Sequence, residues 1–224
     1  MTKFLAQPLQ QRRCILAFCG YGRRVQTLIP FDEVIEYLSE AEGAADGNGV
    51  LDDSFAHFQS MFRPIERQIA ANTPERALCH TLIWGIHIAA SQRPYFGTAM
   101  THAMRAAVTQ LVHPDHGNFS LDLAHHTRDW VRAYNLESEG HTDIIRDIFG
   151  NPFRPVTFDP DWRTSTAVAL AQQMYDSRDF SAMPILADAL QDAGCENAEI
   201  LNHCRGPGPH VRGCWVVDLV LGKQ

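Results

Sequence analysis

The sequence has no surplus of positive charge. Its 19 Lys and Arg face 26 Asp and Glu, for a formal net charge of −7 at pH 7, whereas non-specific nucleic-acid binding needs a basic face. No apolar run reaches the ~20 residues that a membrane-spanning helix requires. Residues 1–8 carry too short an apolar core for a secretory signal. Together these absences predict a cytoplasmic protein with neither nucleic acid nor membrane as partner. Also missing are the C-x-x-C pairs of zinc ribbons and thioredoxin-like sites, and any nucleophile elbow, Walker loop, H-E-x-x-H helix or Rossmann fingerprint. The sequence names no standard enzyme chemistry and leaves open whether the protein is an enzyme.

What is present is a chain of 224 residues, 45% hydrophobic and 20% charged, long enough for a sizeable core. Apolar residues recur at helical spacing. They predict helices over Gln10–Ile29, from Pro30 onward, Asp53–Asn72 with a kink at Pro64, and Pro74 to about Gln92 behind the Thr73 cap. Further helices are expected over Thr98–Val112 and Leu121–Phe149, the latter broken at Gly140 with caps at Thr142 and Gly150. Asn151-Pro152-Phe153-Arg154-Pro155 and Asp159-Pro160-Asp161-Trp162 interrupt the pattern. Beyond them Ser165–Ser177, Ser181–Ala193, Ala198–Cys204 and Val211–Leu221 read as shorter helices. The fold class expected is all-α: a multi-helix bundle over 1–150, an irregular Pro/Gly-rich connection, and a small C-terminal helical subdomain over 151–224 packed on it.

The chemistry-bearing side chains crowd into the tail. Cys195, His203, Cys204, His210 and Cys214 surround Arg205-Gly206-Pro207-Gly208-Pro209-His210. Proline lacks an amide proton and pushes its predecessor out of the α region, so helix stops near Arg205 and resumes after Pro209. Asn197 is the expected cap of the incoming helix and Gly206 its left-handed exit. Elsewhere His80 and His87 lie two turns apart on one helix, and His113, His116, His125 and His126 form a second histidine-rich stretch. Both are candidates for metal ligation; the alternatives are histidines satisfied in the core and histidines exposed on a loop. Cys14, Cys19 and Cys79 fall in apolar helical runs and are expected in the core.

The segments R-D-I-F-G-N-P-F-R-P-V, P-I-L-A-D-A-L-Q-D-A-G-C and H-C-R-G-P-G-P-H-V-R-G-C-W-V-V-D-L-V-L-G-K resemble the shared C-terminal region of a large paralogous protein family of planctomycete bacteria. The resemblance runs from Ile145 onward. R-R-C-I-L-A-F-C-G-Y-G-R-R-V is similar, more loosely, to that family's cysteine-rich first helix. The family's second cysteine pair and long alanine-rich middle are absent here. The resemblance implies a bacterial, intracellular protein with a coherent C-terminal unit; it brings no catalytic residues.

Several functions fit these residues. One is a helical interaction or regulatory module with a protein partner, in which the tail only routes the chain. A second is structural zinc, which takes four N or S ligands; Cys195, His203, Cys204, His210 and Cys214 are the candidates, although adjacent His203 and Cys204 cannot easily share one ion. A third is a cysteine–histidine enzyme with Cys214 as nucleophile and His210, one helical turn away, as base. Lastly, Arg205, Arg212 and His210 could bind an anion; the alternative is that each arginine pairs with a local acid such as Asp188, Asp192, Glu199 or Asp218.

Overall fold

The structure, a computed structural model, describes residues 8–52, 55–69, 73–91, 96–113 and 127–223. Among them are ten α-helices and no strand: α1 (Pro8–Arg24), α2 (Asp32–Ala45), α3 (Phe55–Gln68), α4 (Pro74–Ala90), α5 (Phe96–Val112), α6 (Arg128–Phe149), α7 (Ser165–Ser177), α8 (Met183–Asp192), α9 (Ala198–Arg205) and α10 (Trp215–Leu221). The all-α architecture is as the sequence predicts. The chain divides into two compact units, Met1–Thr142 and Asp143–Gln224. The division falls within α6, upstream of the Pro-rich stretch where the sequence analysis places its boundary. His116, His125 and His126, with the expected helix start at Leu121, lie outside the described residues.

In the first unit α4 is the central element, packed along α5, α1, α3 and α2. Its start is local chemistry: Thr73 Oγ1 accepts from the Arg76 N–H at 3.3 Å, and Pro74 occupies the first turn. Leu78, Cys79, Leu82, Ile83, Ile86 and Ile88 are buried along it. A Cβ at Gly85 would lie 2.1 Å from the Phe18 ring, so the close packing of α1 on α4 relies on glycine at that position. Among the arginines of α1, Arg12 is tied to Asp46 at 3.0 Å, Arg23 to Glu42 at 3.4 Å and Arg24 to Glu137 at 2.8 Å.

Several expectations for this unit are corrected. The first helix ends at Arg24 rather than Ile29, because Ile29 precedes Pro30 and is extended, with φ −106° and ψ 105°; the second helix accordingly begins at Asp32. Gly140 does not break α6. A Cβ there would lie 2.4 Å from the Arg24 guanidinium, so the glycine admits a close neighbour. Thr142 is likewise no cap: it sits within α6 and bonds the Ser138 carbonyl at 2.7 Å.

The second unit is built from the end of α6 and four short helices. Thr164 Oγ1 caps α7 by accepting from the Ala167 N–H at 3.2 Å. Asn197 caps α9 as expected, accepting from the N–H groups of Glu199 and Ile200 at 3.0 and 3.3 Å. Met174, Tyr175, Leu186, Leu190, Ile200, Val216, Val217 and Val220 form one core with Cys195, Cys204 and Cys214. Gly150 has the left-handed φ of +64° that lets α6 end. Gly206 does not take the left-handed exit; its φ of −68° and ψ of 165° are extended, as its position before Pro207 requires. The terminal helix starts at Trp215, not Val211. Gly213 has φ +94°, which no right-handed helix can pass through.

Candidate metal centre

Four side chains converge in the second unit. Asp147 lies in the last turn of α6, where the negative end of the helix dipole disfavours a carboxylate. Ile144, one turn earlier, and Ile148 beside it are buried, so the apolar stripe carries Asp147 inward with them. Its two oxygens do different things. Oδ2 accepts from the Val211 N–H at 2.9 Å, and Oδ1 meets His210 Nδ1 at 2.7 Å and His203 Nε2 at 3.1 Å. His203 comes from the last turn of α9. Cys214 stands immediately before α10, with Sγ 3.2 Å from His203 Nε2. The two imidazoles meet edge to face, with centroids 4.9 Å apart, and the Trp215 indole lies 5.1 Å from His203.

Burial is nearly complete. The Asp147 and His210 side chains are 1% and 8% exposed and His203 is 19% exposed; Cys214 is fully buried. Burial opposes ionisation of Asp147, yet the hydrogen bonds and charge of His203 and His210 outweigh it and hold the carboxyl below its usual range. For Cys214 burial and the neighbouring Asp147 charge act together and hold the thiol well above its ordinary value. His210 Nε2 is buried without a hydrogen-bond partner, and the bonds inside the group are shared. The one His203 Nε2 faces both a carboxylate oxygen and a sulfur, and Oδ1 takes both imidazoles.

The same four side chains are of the types that could hold a dication. One donor atom from each of Asp147, His203, His210 and Cys214 lies within 4.8 Å of every other. Ligands bonded to tetrahedral zinc at about 2.0–2.3 Å stand roughly 3.3–3.8 Å apart, so a closed shell needs shifts of about 1 Å or less, with the 2.7 Å pair of His210 Nδ1 and Asp147 Oδ1 moving apart. A carboxylate and a thiolate neutralise a divalent charge, which is what so buried a site demands. A bound cation also reverses the effect of burial on the thiol, because a coordinating thiol is deprotonated.

Of the residues singled out in the sequence, the structure brings His203, His210 and Cys214 together. It leaves Cys195 and Cys204 in the apolar core, outside the converging group. Cys204 follows His203 on α9 and so points elsewhere. Asp147 escaped the sequence analysis; its signal was an acid on the apolar face of a helix C-terminus. The expected Cys214–His210 pairing on one helix is corrected, since α10 begins after Cys214 and the sulfur's imidazole neighbour is His203. Burial, which holds the Cys214 thiol high, opposes a nucleophilic role for it. The arginines diverge: Arg205 bonds Asp188 at 2.8 Å and Gln191 at 2.7 Å, while Arg212 lies over the Tyr175 ring at 4.6 Å.

The other histidine pair is aromatic packing. His80 meets Phe62 and Phe58 edge-on at 4.7 and 5.4 Å, and His87 lies 5.8 Å from Phe58. Among the described residues, the Asp147 group alone offers three or more metal-binding side chains at such distances. Compared with protein-family models, curated proteins and solved structures, the chain matches none of them.

Proposed function

We propose that the C-terminal unit is a zinc-held helical module in which Asp147, His203, His210 and Cys214 bind one structural ion. The observation that carries this reading is the buried convergence of four zinc-type donors within 4.8 Å. Four protein ligands leave no open position for substrate or water, which is the arrangement of a structural site. The ion then fixes the segment between α9 and α10 against the end of α6, where backbone hydrogen bonding is sparse.

A closed metal does no chemistry, so the role of the module lies in the surface it holds. That agrees with an interaction or regulatory protein. Phe153, 92% exposed, follows an Asn151 side chain that accepts from its N–H at 3.0 Å and offers an ordered apolar anchor to a protein partner.

Titration of the metal-stripped protein with zinc against a chromophoric chelator tests the reading. About one equivalent should bind tightly, and Cys214→Ser and His203→Ala should each weaken it severely. A wild type that binds less than about a tenth of an equivalent at saturating zinc overturns it.

A further inference from the structure

The segment from Gly206 to Gly213 carries one proposed ligand and leads directly into another, yet little of its own backbone holds it. Pro207 and Pro209 have no amide proton to give. Its backbone hydrogen bonds include Gly206 N–H to the His203 carbonyl at 3.2 Å, Val211 N–H to Asp147 at 2.9 Å, and Cys214 N–H to the Val211 carbonyl at 2.9 Å, and the His210 side chain adds its 2.7 Å bond to Asp147. Three glycines add freedom that a metal would have to remove on binding.

Between His210 and Cys214 the chain sends one long side chain back to the core. The Arg212 guanidinium carbon sits 4.6 Å from the centre of the Tyr175 ring. Tyr175 is fully buried on α7, so it is a fixed platform. A planar cation over an aromatic face is attractive and strengthens as water is excluded. Lys223 provides an internal comparison: its Nζ also lies 4.6 Å from the same ring centre, but it comes from beyond α10 and carries no ligand with it.

We infer that Arg212 is a positioning residue for the metal centre: its stacking on Tyr175 sets the loop so that His210 and Cys214 arrive together. It rests on the zinc reading above. Arg212 touches no ion; it acts through its chain neighbours. The consequence is that the two cations on one ring are not equivalent. Losing Arg212 loosens the ligands, whereas losing Lys223 only trims the core.

Zinc competition titrations on the full chain, with Arg212→Ala, Arg212→Gln, Arg212→Lys and Lys223→Ala, test this. Arg212→Ala should weaken zinc binding about tenfold or more, the range for residues that orient ligands from outside the coordination shell. Arg212→Gln keeps the first two methylenes of the stem and loses the charge, the planar cation and the reach to the ring, so it should weaken binding comparably even where the alanine variant folds poorly. Arg212→Lys should recover part of the affinity. The visible cobalt(II) bands should lose intensity in the alanine and glutamine variants as tetrahedral geometry is lost. Lys223→Ala should lower the melting temperature while leaving zinc affinity and the cobalt spectrum unchanged. Wild-type affinity in Arg212→Gln, or an equal loss in Lys223→Ala, overturns the positioning role and leaves the zinc site standing. A wild type that binds no zinc overturns both.

Discussion

The two units solve the same problem with unequal means. In the first, α1, α4 and α5 each run for 17 residues, and α4 buries an almost unbroken apolar surface. Its partly buried charges are satisfied by partners close in space, as with Arg12 and Asp46 or Arg23 and Glu42. In the second unit α7 to α10 have 13, 10, 8 and 7 residues, at or below the ~12–15 at which an isolated helix becomes marginal in water. Short helices bury less surface each and leave more connecting chain to order. The polar convergence at Asp147 lies among these short helices. Apolar area suffices to hold long helices; short ones on an irregular chain gain from a crosslink, and the donor atoms for one are in place.

Stripping the metal should break the comparison most strongly. With free zinc a thousandfold above its dissociation constant, linkage adds about 4 kcal/mol to the zinc-bound unit, and chelation should remove it. Hydrogen exchange read peptide by peptide should then show protection lost over 143–224 and kept over the helices of the first unit. Equal loss in both units would remove the distinction.

Gly85→Ala inverts the experiment. The new methyl would overlap the Phe18 ring in the first unit, and overpacking of this kind costs about 1–3 kcal/mol or more. That loss should be the same with and without zinc. A zinc-dependent loss in this variant would tie the first unit to the metal.

A weaker effect comes from acid. Burial holds both His80 and His141 below the ordinary histidine value of 6.5, against the opposing pull of Glu66 and Glu137; Arg76 adds to the depression at His80. A depressed folded value means the unfolded chain takes up protons first. Their contribution is therefore complete above about pH 6.5 and falls away as pH drops toward the folded values. In chelator, the exchange protection of the first unit should decline through this range, and a His80→Gln, His141→Gln double variant should flatten the decline. Asp147, held low, contributes until pH falls below its unfolded value of 3.8. A variant with the wild-type slope would show that other groups set it.

The smallest effect expected is that of Cys204→Ala. Losing one buried sulfur should cost about 1 kcal/mol, the centre of the range for single substitutions, and leave one zinc bound. Loss of the metal in this variant would place Cys204 among the ligands.

What could be read from the sequence was what is decided locally. The Ser165–Ser177 helix, the Thr73-Pro74 start and the Asn197 cap depend on neighbours a few residues away, and all three stand as predicted. The density of cysteine and histidine in the tail pointed to the right segment. It could not separate Cys204 from Cys214, because that choice depends on which way the end of α9 faces. Asp147 was out of reach for another reason: 63 residues separate it from His210, and only the folded chain brings them together. The start of α10 was misplaced because apolar content was read without the left-handed glycine that interrupts it.

The Val211 amide on Asp147 Oδ2 has a consequence for which ions the proposed centre can accept. With one oxygen already accepting from the backbone, the carboxylate is held in an orientation that favours offering the other oxygen to an ion. Calcium seeks six to eight oxygen ligands and often takes a carboxylate through both oxygens, while magnesium holds on to several of its waters. One oxygen, two ring nitrogens and a sulfur in a nearly dry pocket meet neither demand. The donor set of the proposed centre therefore disfavours both cations, and the Val211 amide helps by fixing how its carboxylate is presented.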